Sequence, residues 1–222
     1  MNSYNFSLRA IVPYLGDLKM AVVGTITISL ATILVSLLLG LFFAIMRQSR
    51  SRPLRWLATA YVEFFRNTPL LVVLYFIYFM MPTIGLKLSP FQSGLVGMSL
   101  HFGAYMTEIL RAGLIAVPHG QYEAGHSQGM TGLQILRHIV LPQVFRTIYA
   151  PFGNQLINII LGSSLTSAIA VNEVASWMQT AGSDTFRYFE TFLVAAIVYA
   201  VLCQTINIAR IYAGRALFPD NR

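Results

Sequence analysis

Long stretches of this chain carry no charged side chain. Met20–Met46, Asn67–Leu86, Leu88–Thr107, Thr147–Asn172 and Thr191–Ala209 are uncharged runs. Each reaches or approaches the roughly 20 residues a helix needs to cross a bilayer. The pattern predicts an all-α membrane protein with five transmembrane helices, at about 20–46, 57–81, 90–113, 145–168 and 188–211, in one domain covering 1–222. The first run exceeds the hydrocarbon thickness, so its helix tilts or extends past the lipid. Residues before it are mixed and include Pro13, Gly16 and Asp17, which is not the pattern of a cleavable signal peptide.

A polar island interrupts the third and fourth runs, inside a loop at about 118–142. There the sequence predicts a short helix over Gln121–Gln128, closed by Gly129 at the position after the cap, where a left-handed backbone is needed. Thr131 is placed to cap a second helix, and Gln134 completes a capping box, with Met130 and Ile135 as its hydrophobic staple. Pro142 is expected to stop or kink the helix at that point. Two short helices at an angle make a knob that fits a groove on a partner. Gly125 and Gly129 allow close backbone approach, and Glu123 sits near the positive end of its helix.

Polar residues within the runs mark a path. Thr25, Thr27, Ser29, Thr32 and Ser36 of the first run suit helix–helix hydrogen bonds and read as scaffold. Glu63 and Arg66 are three apart and share a helix face, followed by Asn67, Thr68 and Pro69, whose ring frees a carbonyl. Glu108 and Arg111 repeat the spacing, with Tyr105 nearby on that face. Charges at membrane depth either snorkel to the interface or face a bundle interior or wet cavity. The expectation is one ionic network of Glu63, Arg66, Glu108 and Arg111 at the inner gate. His101 reads as a histidine satisfied by a neighbouring helix, or as a proton site. In the fourth run Asn154 and Asn158 are one turn apart, and Gly162, Ser163 and Ser164 suggest a loosened turn. Two partners suit these amides and hydroxyls: another helix or a zwitterionic substrate. The stretch from Glu173 to Arg187 reads as a polar outer segment with Trp177 as an interfacial anchor.

Composition agrees with the pattern. Of 222 residues 56% are hydrophobic and 10% charged, with mean hydropathy +0.64, where soluble domains carry about 25% charged residues. The net charge of +7 invites a nucleic-acid reading, which its distribution opposes. Arg47, Arg50, Arg52, Arg55, Arg137, Arg146, Arg210, Arg215 and Arg222 fall on one side; Arg9, Lys19, Lys87 and Arg187 fall on the other. Basic loops mark the cytoplasm, so the N-terminus is expected outside and the C-terminus and the 118–142 loop inside. Cys203 is alone, which excludes an intrachain disulfide. There is no G-x-x-x-x-G-K-[ST] phosphate loop and no HExxH. His119, His126 and His138 are poorly spaced for one helical face.

The segment EAGHSQGMTGLQILRHIVLP, Glu123–Pro142, resembles the cytoplasmic loop signature of ABC import permeases: EAA, a fixed Gly, then IxLP. Gly125 stands where that signature has Ala. Glu63–Leu71 resembles the ExFRxTPLL segment of the polar amino-acid subgroup, which serves histidine, glutamine, glutamate, arginine and opines. NQLINIILGSSLTSAIAVNEV, from Asn154, resembles the corresponding segment of such relatives, which commonly place Lys and Asp or Asn where this chain has Leu161 and Gly162. The resemblance implies a type I ABC importer permease fold with a cytoplasmic coupling helix, in an inner membrane. It implies ATP-driven uptake of a polar amino acid from periplasm to cytoplasm, and no enzymatic activity in this chain. The implied partners are a second permease subunit (identical or paralogous), two ATP-binding cassette subunits that bind ATP and Mg, a periplasmic substrate-binding protein, the amino acid and membrane lipid. No cofactor is implied in the chain itself. Glu123, Ala124, Gly125 and Gly129 are the implied coupling residues. Glu63, Arg66, Asn67, Thr68, Pro69, Tyr105, Glu108, Arg111, Asn154, Asn158, Ser163 and Ser164 are the candidates for path or gate. An ion-coupled secondary transporter is the alternative; it calls for an internal repeat, and none is evident. A membrane enzyme would need a nucleophile or metal constellation, and none is found.

Overall fold

The computed structural model describes residues 6–218. Arg222 and the two chain ends lie outside the described residues. Every regular element among those residues is helical. A 3₁₀ turn, Leu8–Tyr14, leads into α1, Leu15–Gln48. Then come α2, Arg52–Arg66, and α3, Leu70–Tyr75, which runs on through a π-helical turn, Phe76–Met80, and a 3₁₀ turn, Met81–Ile84. Next are α4, Pro90–Ile115, α5, His119–Ser127, and α6, Gly132–Ile135. A π-helical turn, Leu136–Val140, joins α6 to α7, Leu141–Ser163, which tightens into a 3₁₀ run, Ser164–Ile169. The chain ends in α8, Val174–Thr185, and α9, Tyr188–Leu217.

The burial of α1 inverts that of a water-soluble helix. Thr25, Thr32, Ser36 and Gly40 are buried, whereas Leu30, Leu34 and Leu38 are about 60% exposed. Lipid is as apolar as leucine, so nothing drives leucine inward. Small residues face the neighbour because they let backbones approach. That neighbour is α4: Gly94 lies against Ile28, the Thr32 hydroxyl reaches the Met98 sulfur at 3.9 Å, and Gly40 abuts Met106. Residue numbers climb together, so α1 and α4 run parallel. α7 runs antiparallel to α4, with Gly113 on Ile148 and Gly162 on Phe102, and α9 antiparallel to α7, with Gly214 on Tyr149. Ile28, Leu74, Met98, Phe102 and Ile159 form the central core, and Trp177 packs with Ala21, Val174 and Ala181 in a second cluster beyond it.

Two helical runs, Leu8–Gln48 and Tyr188–Leu217, are individually long and apolar enough to cross a membrane; two bent pairs raise the number to as many as four. α4 has the length, about 39 Å, but carries Ser, Gly and His on its buried face. The expected span at 57–81 is broken. α2 and the run from Leu70 to Ile84 meet at 105°. Pro69 lacks an N–H and pushes Thr68 out of the helical region, so no helix passes through. Pro142, by contrast, sits in the first turn of α7 without stopping it; the π-helical turn ahead of it loosens the ladder where the missing N–H would bond. The stretch expected as a polar outer segment is α8, packed against α9, with Glu173 at its N-cap fully buried.

Candidate functional site

At the end of the bundle where α1 and α4 finish, Glu108 is the centre of an ion cluster. Its carboxylate takes hydrogen bonds from Arg111 Nη2 at 2.8 Å and Nε at 3.2 Å, and a third from Arg47. Both Arg47 and Glu108 are less than one-fifth exposed, so the pair is worth more here than at a wet surface. Arg66 lies within electrostatic reach of Glu108, and its guanidinium sits 5.4 Å from the centre of the Tyr105 ring. The network of four expected from spacing therefore changes membership: Arg47 joins, and Glu63 points elsewhere. The Glu63 carboxylate and carbonyl both receive the Asn67 side-chain amide, at 3.2 and 2.8 Å.

The turn between α2 and α3 satisfies itself. The Thr68 hydroxyl donates to the Phe64 carbonyl at 2.7 Å, while Asn67 caps α2. Leu70, one residue past Pro69, touches Gly162 in α7, as does Phe102. So the start of α3, just past Pro69, packs against Gly162 near the end of α7. Gly162–Ser164 is not loosened. The Ser163, Ser164, Thr166 and Ser167 hydroxyls donate to carbonyls three residues back, at 2.6–2.7 Å, and the helix narrows to 3₁₀. The run ends at Ala170, which is left-handed at φ 60°.

Asn154 and Asn158 are both exposed on α7. Asn154 accepts from Arg210 of α9 at 3.1 Å, and Arg210 also donates to Asn207 at 2.8 Å. Another helix is thus the partner of Asn154. His101 lies between Phe102 and Tyr105, ring centres 5.2 and 5.3 Å away, and its Nδ1 is buried with no hydrogen-bond partner among the described residues.

The elbow formed by α5 and α6 obeys its sequence signals closely. Gly129 has φ 75°. Its N–H bonds to the His126 carbonyl at 2.9 Å, and the Met130 N–H reaches back to the Gly125 carbonyl at 3.1 Å. These two bonds are the Schellman closure that a left-handed glycine permits. Thr131 and Gln134 make the reciprocal capping box. Gly125 is buried; a Cβ there would stand 2.7 Å from Ile135 Cγ1 and 3.2 Å from Ile139 Cδ1. Glycine in place of the alanine of the EAA signature thus makes room for two isoleucines. Glu123 and Ala124 face outward, Glu123 with His119 Nδ1 at 3.0 Å.

The roles of Arg47, Arg210 and Glu173 are not visible in the sequence pattern. Glu173 accepts from the Ser176 N–H at 2.7 Å and from the Tyr199 hydroxyl, which ties α8 to α9. Among the described residues no group of His, Cys, Asp or Glu is disposed to hold a metal ion.

Comparison with known proteins places this geometry. Residues 36–217 match the family described as binding-protein-dependent transport system inner membrane component. A Bacillus subtilis protein named as a probable glutamine ABC transporter permease, GlnM, is 36% identical over 87% of this chain and 89% of its own. The L-cystine transport system permease protein TcyB of the same organism is 36% identical over 87% and 83%. A crystal structure of an amino acid ABC transporter with histidines superimposes with TM-score 0.89 at 30% identity, covering 96% of this chain and all of that one.

Proposed function

The chain belongs to the binding-protein-dependent transport system inner membrane components, a permease of an ABC importer, and we propose that it carries a polar amino acid inward as half of an ATP-driven assembly. Similarity to glutamine and cystine permeases and to an amino acid transporter supports that substrate class. The other half is a second permease chain, identical or paralogous. Two ATP-binding cassette subunits bind ATP and Mg, and a periplasmic protein delivers the amino acid. The whole chain acts as one domain with five membrane crossings: α1, the bent α2–α3 pair, α4, α7 with its 3₁₀ run, and α9. The N-terminus is periplasmic and the C-terminus cytoplasmic, which puts the elbow at 118–142 in the cytoplasm beside the ATPase.

The elbow carries this reading. α5 projects Glu123 and Ala124 outward while Gly125, behind them, is packed on Ile135 of α6, which continues through the π-helical turn into α7. A force on α5 therefore enters the long helix. Glu63, Arg66, Asn67, Thr68, Pro69, Tyr105, Glu108, Arg111, Asn154, Asn158, Ser163 and Ser164 belong to the path and its gate. The test is a cross-link. In the reconstituted assembly with Cys203→Ser as background, Ala124→Cys is expected to join to a cysteine in the cassette subunit's groove, and the link to block uptake. Failure of Ala124→Cys to cross-link at any nucleotide state would overturn the coupling role.

A further inference from the structure

Arg210 is a cation set back from the end of its helix. α9 runs on to Leu217, yet the guanidinium is held in the opposite direction. Nη2 donates at 2.8 Å to Oδ1 of Asn207, three residues back along α9, and Nη1 donates at 3.1 Å to Oδ1 of Asn154 on α7, with the Ala150 carbonyl 3.5 Å away. An arginine that snorkels sends its head to the nearest water; this one is turned away from the near end of α9. The surroundings are shaped to it. Its arm lies across Gly153, where a Cβ would collide with Arg210 Cδ, and the Tyr149 hydroxyl donates to the Arg210 carbonyl at 2.5 Å.

The oxygens that hold the guanidinium are two carboxamides and a backbone carbonyl, all neutral. A guanidinium has five N–H donors in a planar fork, and these three bonds employ only Nη1 and Nη2. Nε has no hydrogen-bond partner among the described residues, and Arg210 is partly exposed. The Nε–Nη2 edge, which can present two parallel donors to one carboxylate, is therefore available to a further acceptor. Beside it, Asn154 and Asn158 are exposed on α7, and polar groups at membrane depth face a bundle interior or a wet cavity. We infer, building on the proposed passage of an amino acid beside Asn154, that Arg210 receives the carboxylate of that amino acid on the inner part of its path, with Asn154 and Asn207 setting the angle of the fork.

The intact permease–cassette assembly in detergent, without nucleotide or binding protein, is mixed with an equimolar set of the twenty L-amino acids, and saturation-transfer NMR identifies which of them bind. The strongest is then titrated alongside its carboxamide, which keeps the shape and loses the negative charge. The carboxamide is expected to bind the unaltered assembly about ten-fold more weakly. Arg210→Gln is expected to weaken the amino acid by about the same factor and to bring the two ligands level. Arg210→Lys, a charge without the fork, should fall between, and Arg55→Gln should change neither affinity. An arginine that merely ties α7 to α9 would weaken both ligands alike when replaced. No signal from any amino acid, equal binding of the two ligands by the unaltered assembly, or a preference for the carboxylate that survives Arg210→Gln overturns the site. Uptake of the same mixture by proteoliposomes supplied with the binding protein is measured separately: uptake without a carboxylate preference at Arg210 leaves amino-acid transport standing and removes Arg210 from it.

Discussion

At Gly129 a side chain would have free space but the wrong backbone; at Gly125 it would have an acceptable backbone but no space. The two positions therefore fail differently. Gly129→Val forces a branched residue into the left-handed region, at about 1–2 kcal/mol, and should unravel the Schellman turn. Uptake is then expected to fall while ATP hydrolysis continues, as read in proteoliposomes; unchanged coupling would remove Gly129 from the mechanism. Gly125→Leu overpacks the root, at about 1–3 kcal/mol. Thermal unfolding of the assembly should show the loss, and Ile135→Ala in the same chain should recover part of it. Both glycines are legible in sequence because caps and turns are local. The second partner of Glu108 is not. Arg111, three residues on, announces itself by spacing, whereas Arg47 reaches Glu108 across 61 residues of chain, a contact created by the parallel packing of α1 on α4. A charge swap, Arg47→Glu with Glu108→Arg, is expected to restore stability lost in either single change, with a coupling of about 0.5–3 kcal/mol in a double-mutant cycle.

Among the elements, the uncharged runs coincide with helices but do not show where one of them bends. The run beginning at Asn67 reads as the continuation of one span, and Pro69 converts it into a joint of 105°. Hydropathy sums over a window and takes no account of a missing N–H. Glu173 shows the opposite limit. Its charge reads as solvent-facing, yet it is buried because the N-cap of α8 and the Tyr199 hydroxyl both need an acceptor there. Glu173→Ala removes the cap, at about 0.5–2 kcal/mol, and leaves the Tyr199 hydroxyl without its acceptor. Hydrogen exchange across Val174–Thr185 should accelerate, while α5 stays protected. Uniform acceleration over the whole chain would instead mean that Glu173 supports the global fold.

For the whole molecule, the direction of the helices fixes what lies at the same end. α1 and α4 are parallel and α7 is antiparallel, so Arg47, the elbow and Arg146 share one end of the bundle. The proposed orientation puts that end in the cytoplasm. In a Cys203→Ser background, Lys87→Cys should react with a membrane-impermeant maleimide in intact cells, and Gln121→Cys only after permeabilisation. The reverse pattern would invert the assembly. The run from Gly132 to Ile169 is helical throughout, changing only its winding: π at Leu136–Val140, α through Ser163, 3₁₀ beyond. Its α-helical stretch of 23 residues is about 34 Å long at 1.5 Å per residue. Pivoted at one end, such a rod sweeps the other through about 0.6 Å for each degree of tilt. A tilt of about 7° would carry Gly162 about 4 Å, the width of a methyl group, against its neighbours Phe102 and Leu70.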